Sequence, residues 1–327
     1  MEVLPGNFLI LGTALAVGLA FGFVLQRGRY CVNTAFRDII FINDFTLFRA
    51  YLLSLVVAIV AANAMEDMGW LGGVVDAETN EYVAHTLRRQ SFAPIANIVG
   101  GYIFGLGIVL AGGCGSGILY RVGEGLVASV FAVFGFAFGI LATMYGFLNP
   151  VFKALKSYKM EIGDSGNPAL WDLFGGGQTA KWATILVVVV IMAVFVIKGK
   201  PFEKGPAKGY KWSVAGLLVG IVAVIAWWAS GVFGGQPRGL SFTGPTADFF
   251  MGILTRNSNA PSDPMFDFWG LTTTTWSAWY ILTVPVGAFL SAKALGEFKL
   301  KAPGAGELMT VFFGAMMMGF GAAIAGG

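Results

Sequence analysis

The chain is poor in nearly everything that soluble catalysis uses. It has a single histidine, His85, two cysteines, Cys31 and Cys114, and only 12% charged residues in 327. One histidine excludes a histidine metal cluster and a Ser/His/Asp set, and no G-x-x-x-x-G-K-[ST] stretch is present to bind a nucleoside triphosphate. The cysteines stand far apart with no C-x-x-C, which argues against a dithiol redox centre and a thiolate zinc site. No metal or cofactor is expected, and any transport must run on a gradient. His85 falls in a charged loop and is expected at the surface.

What the chain does have is apolar length. It is 56% hydrophobic with a mean hydropathy of +0.73, more apolar surface than one soluble core could hide. Uncharged stretches at 8–25, 126–148, 214–233, 272–292 and 308–327 each reach the roughly 18 residues that cross a bilayer. Shorter ones at 50–64, 95–110 and 182–197 are flanked by charge or by Trp182 and Trp212. The expected fold is therefore all-α and polytopic, with eight spans. Only Glu2 precedes the first stretch, so it reads as a retained span rather than a signal peptide. Loops after odd-numbered spans carry 13 Lys and Arg against 8 on the other side, which places the N-terminus outside the cytoplasm, in a bacterial-type inner membrane. The basic segment 198–211 then reads as an inner-face topology signal.

Two loops, 66–94 and 149–181, are expected to be non-helical and wet, the second for its GDSGNP and GGGQ breakers. QRGRYCVNTAFRD at 26–38 and GQPRGLSFTGPTAD at 235–248 are instead polar breaks next to apolar spans, each followed by a segment too short to cross. Such breaks persist at membrane depth only where protein or a wet cavity satisfies the backbone. A third break, AGGCGSG at 111–117, closes a run whose GLGIVLAGG at 105–113 returns as GFGAAIAGG at 319–327. Gln26–Cys31 has a looser counterpart in Gln236–Ser241. The chain reads as a duplication: half one at 8–148, a connecting loop and span at 149–212, half two at 213–327. Eight spans make the shift odd and the halves inverted, with a ninth span and a further Gly-Gly-Cys turn expected after Gly327.

Both cysteines occupy breaks. A thiol is a weak donor and its sulfur a weak acceptor, suited to holding a soft sulfur without trapping it. Packing cysteines and a disulfide between them are the alternatives. The glycines around Cys114, with Gly113 and Gly115 nearest, would bring backbone N–H groups to an anion. Gly18/Gly22, Gly101/Gly105, Gly135/Gly139 and Gly216/Gly220 read instead as small-xxx-small helix contacts. Met316–Met318 and the Phe-rich 131–138 likewise read as helix packing. Arg29, Arg37 and Arg121 lie near the cysteines as anion guides or interfacial anchors, with Arg29 favoured because it shares a break with Cys31. Glu124 is expected to pair with Arg121.

QRGRYC with AFRD, AGGCGSG, GLSFTGP and the closing GFGAAIAGG together resemble the YeeE/YedE family of membrane sulfur transporters, typified by thiosulfate uptake. The resemblance implies an hourglass of about nine spans plus short helices that enter partway. In that family waist cysteines relay thiosulfate through S–H to sulfur hydrogen bonds, and Cys31 and Cys114 match the first two. It also implies a small TusA-like sulfur carrier at the cytoplasmic face. The two long loops point to a shifted substrate preference, toward another sulfur anion or selenium. The expected site is therefore Cys31, Cys114, Gly113, Gly115, Arg29 and Ser241, in a transporter rather than an enzyme. A channel-like facilitator and a membrane thiol oxidoreductase are the competing functions.

Overall fold

The computed structural model describes residues 5–75, 82–88, 91–160, 167–202, 208–255, 267–268, 271–272 and 275–326. Twelve α-helices carry nearly all of the order: α1 (Pro5–Gly28), α2 (Val32–Ile42), α3 (Thr46–Asp67), α4 (Pro94–Leu110), α5 (Gly115–Gly123), α6 (Val127–Met144), α7 (Asn149–Lys156), α8 (Gly177–Ile197), α9 (Trp212–Val232), α10 (Thr243–Thr255), α11 (Trp276–Leu295) and α12 (Ala305–Ala325). Two small antiparallel hairpins, β1 (Gly73–Val75) with β2 (Tyr82–Ala84) and β3 (Asp267–Phe268) with β4 (Leu271–Thr272), complete it. Among the described residues eight segments are long and apolar enough to cross a membrane, and the protein is a multi-pass membrane protein. The three polar breaks fall between α1 and α2, α4 and α5, and α9 and α10.

Two loops differ from their sequence reading. The 149–181 stretch holds α7, which starts where Pro150 presets the first turn, and a 3₁₀ turn at Leu170–Phe174. The 66–94 stretch holds the β1–β2 hairpin. His85, just past β2, is half-buried rather than exposed. Much of GDSGNP lies outside the described residues.

Glycines set the helix seams and reveal helix directions. A Cβ on Gly22 would lie 1.9 Å from the Val284 carbonyl oxygen, and one on Gly18 would meet Tyr280 and Thr283. Residue numbers rise together, so α1 and α11 run parallel. Gly216 against Ala50 and Gly220 against Ser54 and Val57 make α9 parallel to α3, while Gly135 against Phe312 and Gly139 against Met316 make α6 parallel to α12. Gly100 faces Gly321 and Ala325 whereas Gly107 faces Gly314 and Met318, so α4 and α12 are antiparallel. The end of α1 meets the start of α9, with Gly28 against Ala215. Near its other end, Thr13 accepts the Trp276 indole N–H at 3.1 Å, and Trp276 packs at Gly234 just past α9. α1 and α9 are therefore antiparallel.

Three of the four small-xxx-small pairs thus join backbones, and Gly101/Gly105 does not. A Cβ on either meets nothing within 4 Å. Their neighbours Ile98 and Tyr102 are 73% and 71% exposed, so that face of α4 looks toward lipid. Gly100 and Gly107 make the α4 seam instead. In hydrocarbon, helices associate by close backbone packing, because lipid tails remove the hydrophobic incentive.

Candidate functional site

Cys31 and Cys114 come together. Their Sγ atoms are 3.7 Å apart and both thiols are free. Each caps a short helix: Cys31 precedes α2 with extended backbone (φ −142°, ψ 122°) and Cys114 precedes α5 (φ −75°, ψ 176°). Neither side chain makes a capping hydrogen bond. The Cys31 and Cys114 carbonyls accept the first intrahelical bonds, from Ala35 and Ile118. The N–H groups of residues 32–34 and 115–117 therefore have no acceptor within their own helices. Ser, Thr, Asn or Asp at these caps would take one of those donors for itself. Neither sulfur closes such a cap, and the positive ends of two helix dipoles converge at the thiol pair.

The breaks are made by left-handed backbone. Gly112 (φ +70°) ends α4, and Arg29 (φ +47°) turns the chain out of α1. Arg121 reaches back from α5 and donates to the Gly112 carbonyl, which stitches the α4–α5 break closed. Gly117 supplies the remaining space: a Cβ there would lie 3.0 Å from the Cys31 sulfur and 3.5 Å from that of Cys114. Ser116 Oγ lies 3.2 Å from Cys114 Sγ.

Phe242 packs beside this pair, next in the chain to two residues that line an open space. Phe242 lies against Gly115, 3.1 Å from where its Cβ would be, stacks with Phe21 at 6.1 Å between centroids, and meets the Tyr280 ring edge-on at 6.5 Å. Its neighbours Ser241 and Thr243 turn the other way and line a cavity of about 650 Å³. Gln236–Leu240, Gly244, Met144, Leu87, Trp227 and Lys156 complete most of the wall. Lys156 rests on the Phe152 ring, and burial, with Lys159 nearby, holds its ammonium below the usual lysine range. The thiols themselves are 2% and 7% exposed. They are packed in a buried cluster against which Phe242 also packs.

A polar knot closes the opposite end. Gln26 is fully buried, and its Nε2 donates to Glu297 at 3.0 Å and Glu124 at 3.3 Å. Arg29 pairs with Glu297 at 2.8 Å with its side chain 70% exposed. Nearby, Tyr30 and Ser54 hydroxyls meet at 2.7 Å and tie the α1–α2 break to α3.

Of the six sequence-derived site residues, Cys31, Cys114 and Gly115 converge. Gly113 borders them beside the Arg121 guanidinium, 3.2 Å from its would-be Cβ. Ser241 stands on the cavity side, where its carbonyl accepts the Tyr280 hydroxyl. Arg29 is placed in the Glu297 ion pair, and Arg37 is exposed and pairs with Asp38 at 2.8 Å. Arg121 is the arginine nearest the glycine turn. Glu124 takes Gln26 as its hydrogen-bond partner rather than the expected Arg121. Sequence reasoning named Gly117 only as one of the glycines around Cys114, not as the residue between the two sulfurs, and it did not single out Phe242. Gly117 had a signal, since it sits three residues after the N-cap Cys114, where a cap side chain points.

The sequence model of the family described as Sulphur transport matches residues 27–327. The chain is 30% identical to a protein of Spirochaeta thermophila named Thiosulfate transporter TsuA, over 97% of this chain and 88% of that one. It is also 30% identical to the Thiosulfate transporter TsuA of Escherichia coli, over 98% of this chain and 85% of that one. The Probable transporter YedE of Escherichia coli matches at 30% over 36% of this chain and 25% of its own length. A membrane bundle broken at two touching thiols, a match spanning nearly all of the chain and relatives named as transporters agree: the chain belongs to the YeeE/YedE-type Sulphur transport family.

Proposed function

We propose that this protein imports a small sulfur-containing anion, thiosulfate first, across a bacterial-type inner membrane by passing it between Cys31 and Cys114. The observation that carries the reading is the meeting of two free thiols 3.7 Å apart at two uncapped helix starts. Thiols offer weak S–H contacts to a terminal sulfur, and the converging N–H groups offer hydrogen bonds to oxygens of the same anion. Each contact is weak enough to release, which passage requires. The anion would enter from the cavity beside Ser241, pass Phe242 and leave by the Gln26–Glu124–Glu297 end, without covalent change. The similarity to proteins named thiosulfate transporters supports the substrate.

The orientation with α1 starting outside rests on the excess of Lys and Arg in loops following odd-numbered spans. On that orientation the polar knot faces the cytoplasm, where a TusA-like carrier would collect the anion. The halves 8–148 and 213–327, joined through 149–212, are read as an inverted repeat. In support, α1 with α9 and α4 with α12 are antiparallel, and each half has a long helix, a polar break and a short returning helix.

The test is growth of a thiosulfate-dependent host on thiosulfate as sole sulfur source, comparing the wild type with Cys31→Ala and Cys114→Ala at matched membrane levels. Loss of growth in both is expected. Normal growth of both rejects the relay. The 3.7 Å approach also suits a dithiol that closes to a disulfide during turnover. A thiol count by mass spectrometry during thiosulfate uptake separates the two, since the relay keeps both thiols free throughout.

A further inference from the structure

The cavity above Phe242 carries cationic charge, and its walls do not use that charge up. Lys156 and Arg238 both line it, and no carboxylate does so among the described residues. Arg238 is built into place: its N–H donates to Ser230 Oγ at 2.8 Å, and that hydroxyl, on a residue 1% exposed, has one proton within reach of the Ala226 carbonyl at 2.6 Å and the Arg238 carbonyl at 2.8 Å. The guanidinium lies over the first turn of α10, with Nη1 3.2 Å from where a Gly244 Cβ would be. A cation held at the positive end of a helix is electrostatically unfavourable unless an anion joins them. Among the described residues only Asp248, one turn further along α10, answers it, through one contact of 3.2 Å between groups that are 36% and 25% exposed. Asp248 is shared, because Thr275 Oγ1 donates to the same oxygen at 3.2 Å.

Contrast with Lys181 shows how loose this pair is. Lys181 meets Glu66 and Asp67 at 2.7 Å each with its side chain 8% exposed. Ion pairs with charge-assisted geometry run at about 2.7–2.9 Å, and arginine in a committed pair usually engages both oxygens. The Arg238–Asp248 contact is long, single and wet, which makes it exchangeable.

We propose that Arg238 is a charge-reading latch at an entry subsite for divalent tetrahedral oxyanions, formed with the first turn of α10 at Thr243 and Gly244 in a cavity that Lys156 also lines. A monoanion brings no more charge than Asp248 already supplies, so it gains little by displacing it. A dianion brings twice that charge and draws the guanidinium away from Asp248, sitting between the guanidinium and the α10 N–H groups. The subsite reads charge and shape without reading sulfur. Sulfate therefore enters and waits there like thiosulfate, and discrimination between them falls to the thiols below Phe242. The direction of passage rests on the import reading above; the subsite itself does not.

The test uses purified full-length protein in proteoliposomes, with labelled thiosulfate uptake measured against added sulfate or nitrate. Sulfate is expected to inhibit competitively without being accumulated, and nitrate at equal ionic strength to have little effect. Arg238→Gln is expected to raise both the thiosulfate KM and the sulfate inhibition constant by about tenfold, with the maximal rate held within about twofold and Arg238→Lys intermediate. Asp248→Asn carries the test independently because its effect has the opposite sign: freeing the guanidinium lowers both constants several-fold. A purely structural pair would make both substitutions harmful in the same direction, and that result overturns the proposal, as does wild-type uptake indifferent to sulfate. Calorimetric sulfate binding to the same variants and to Cys31→Ala gives the separate readout. Sulfate binding that survives Cys31→Ala and weakens in Arg238→Gln upholds the subsite even if thiosulfate import fails. Sulfate binding unchanged in Arg238→Gln and Asp248→Asn overturns it even if import succeeds.

Discussion

The break after α1 and the break after α9 have the same construction and opposite characters. In each, a long helix stops at a glutamine-bearing polar turn and a short helix leads the chain away. The first places Cys31 against Cys114 in a dry pocket, with Gln26 buried behind it. The second places both Ser241 and Arg238 on the wall of an open cavity. The difference teaches that a broken helix in a membrane is a frame, and that the residue at the turn decides whether it holds a soft atom closely or admits a hydrated ion. Cysteine accepts burial readily, whereas serine and arginine must keep partners or water.

The comparison can be broken most severely at Gly117. Gly117→Val forces atoms between the two sulfurs, where even a Cβ would stand 3.0 Å from Cys31. Overpacking of this kind costs about 1–3 kcal/mol of stability, read as a melting shift of several degrees in detergent, and uptake per folded molecule is expected to fall at least about tenfold. Uptake unchanged by Gly117→Val would mean that the thiol pair lies off the path. Removing the ring that packs beside the thiols comes next: if Phe242 closes the path from the cavity, Phe242→Ala is expected to give several-fold faster uptake with weaker rejection of sulfate in flux assays. A slower but equally selective variant would show that Phe242 guides rather than blocks. Tyr280→Phe loses the hydrogen bond to the Ser241 carbonyl. A stability loss of about 1 kcal/mol is expected, read as a melting shift of a few degrees, with the substrate KM unchanged. The smallest effect sharpens the contrast: Ser241→Ala is expected to keep uptake within about twofold, because the backbone of this residue makes the described bond. If Ser241→Ala failed as completely as Cys31→Ala, the two breaks would be equivalent stations.

The membrane class, the eight crossings and all three breaks were legible in the sequence, because hydropathy and glycine clustering act locally. The small-residue pairs were legible in kind but not in address. Gly101/Gly105 has the same spacing as Gly18/Gly22, and only a partner helix distinguishes a seam from a lipid-facing groove; on α4 the partner met Gly100 and Gly107. The cysteines were found by composition, since two among 327 residues both at breaks is a strong pattern. Their contact was not readable, because it joins segments 83 positions apart. Arg29 drew attention through its nearness to Cys31 in the chain, yet its left-handed turn carries it out to Glu297. Phe242 lay unmarked inside GLSFTGP: one phenylalanine among 29 is inconspicuous until the fold packs it on Gly115 beside the cysteines.

α8 packs chiefly on α3 and the 3₁₀ turn before it, with Leu186, Val187 and Ile191 more than half exposed. Most of its circumference is thus handed to acyl chains, while the Lys181 clasp fixes one end and Phe195, against Phe45 and Phe48, the other. A helix pinned at both ends and bathed along its middle responds to bilayer thickness by tilting. α8 is accordingly the strut through which short- or long-chain lipids would first bend this protein.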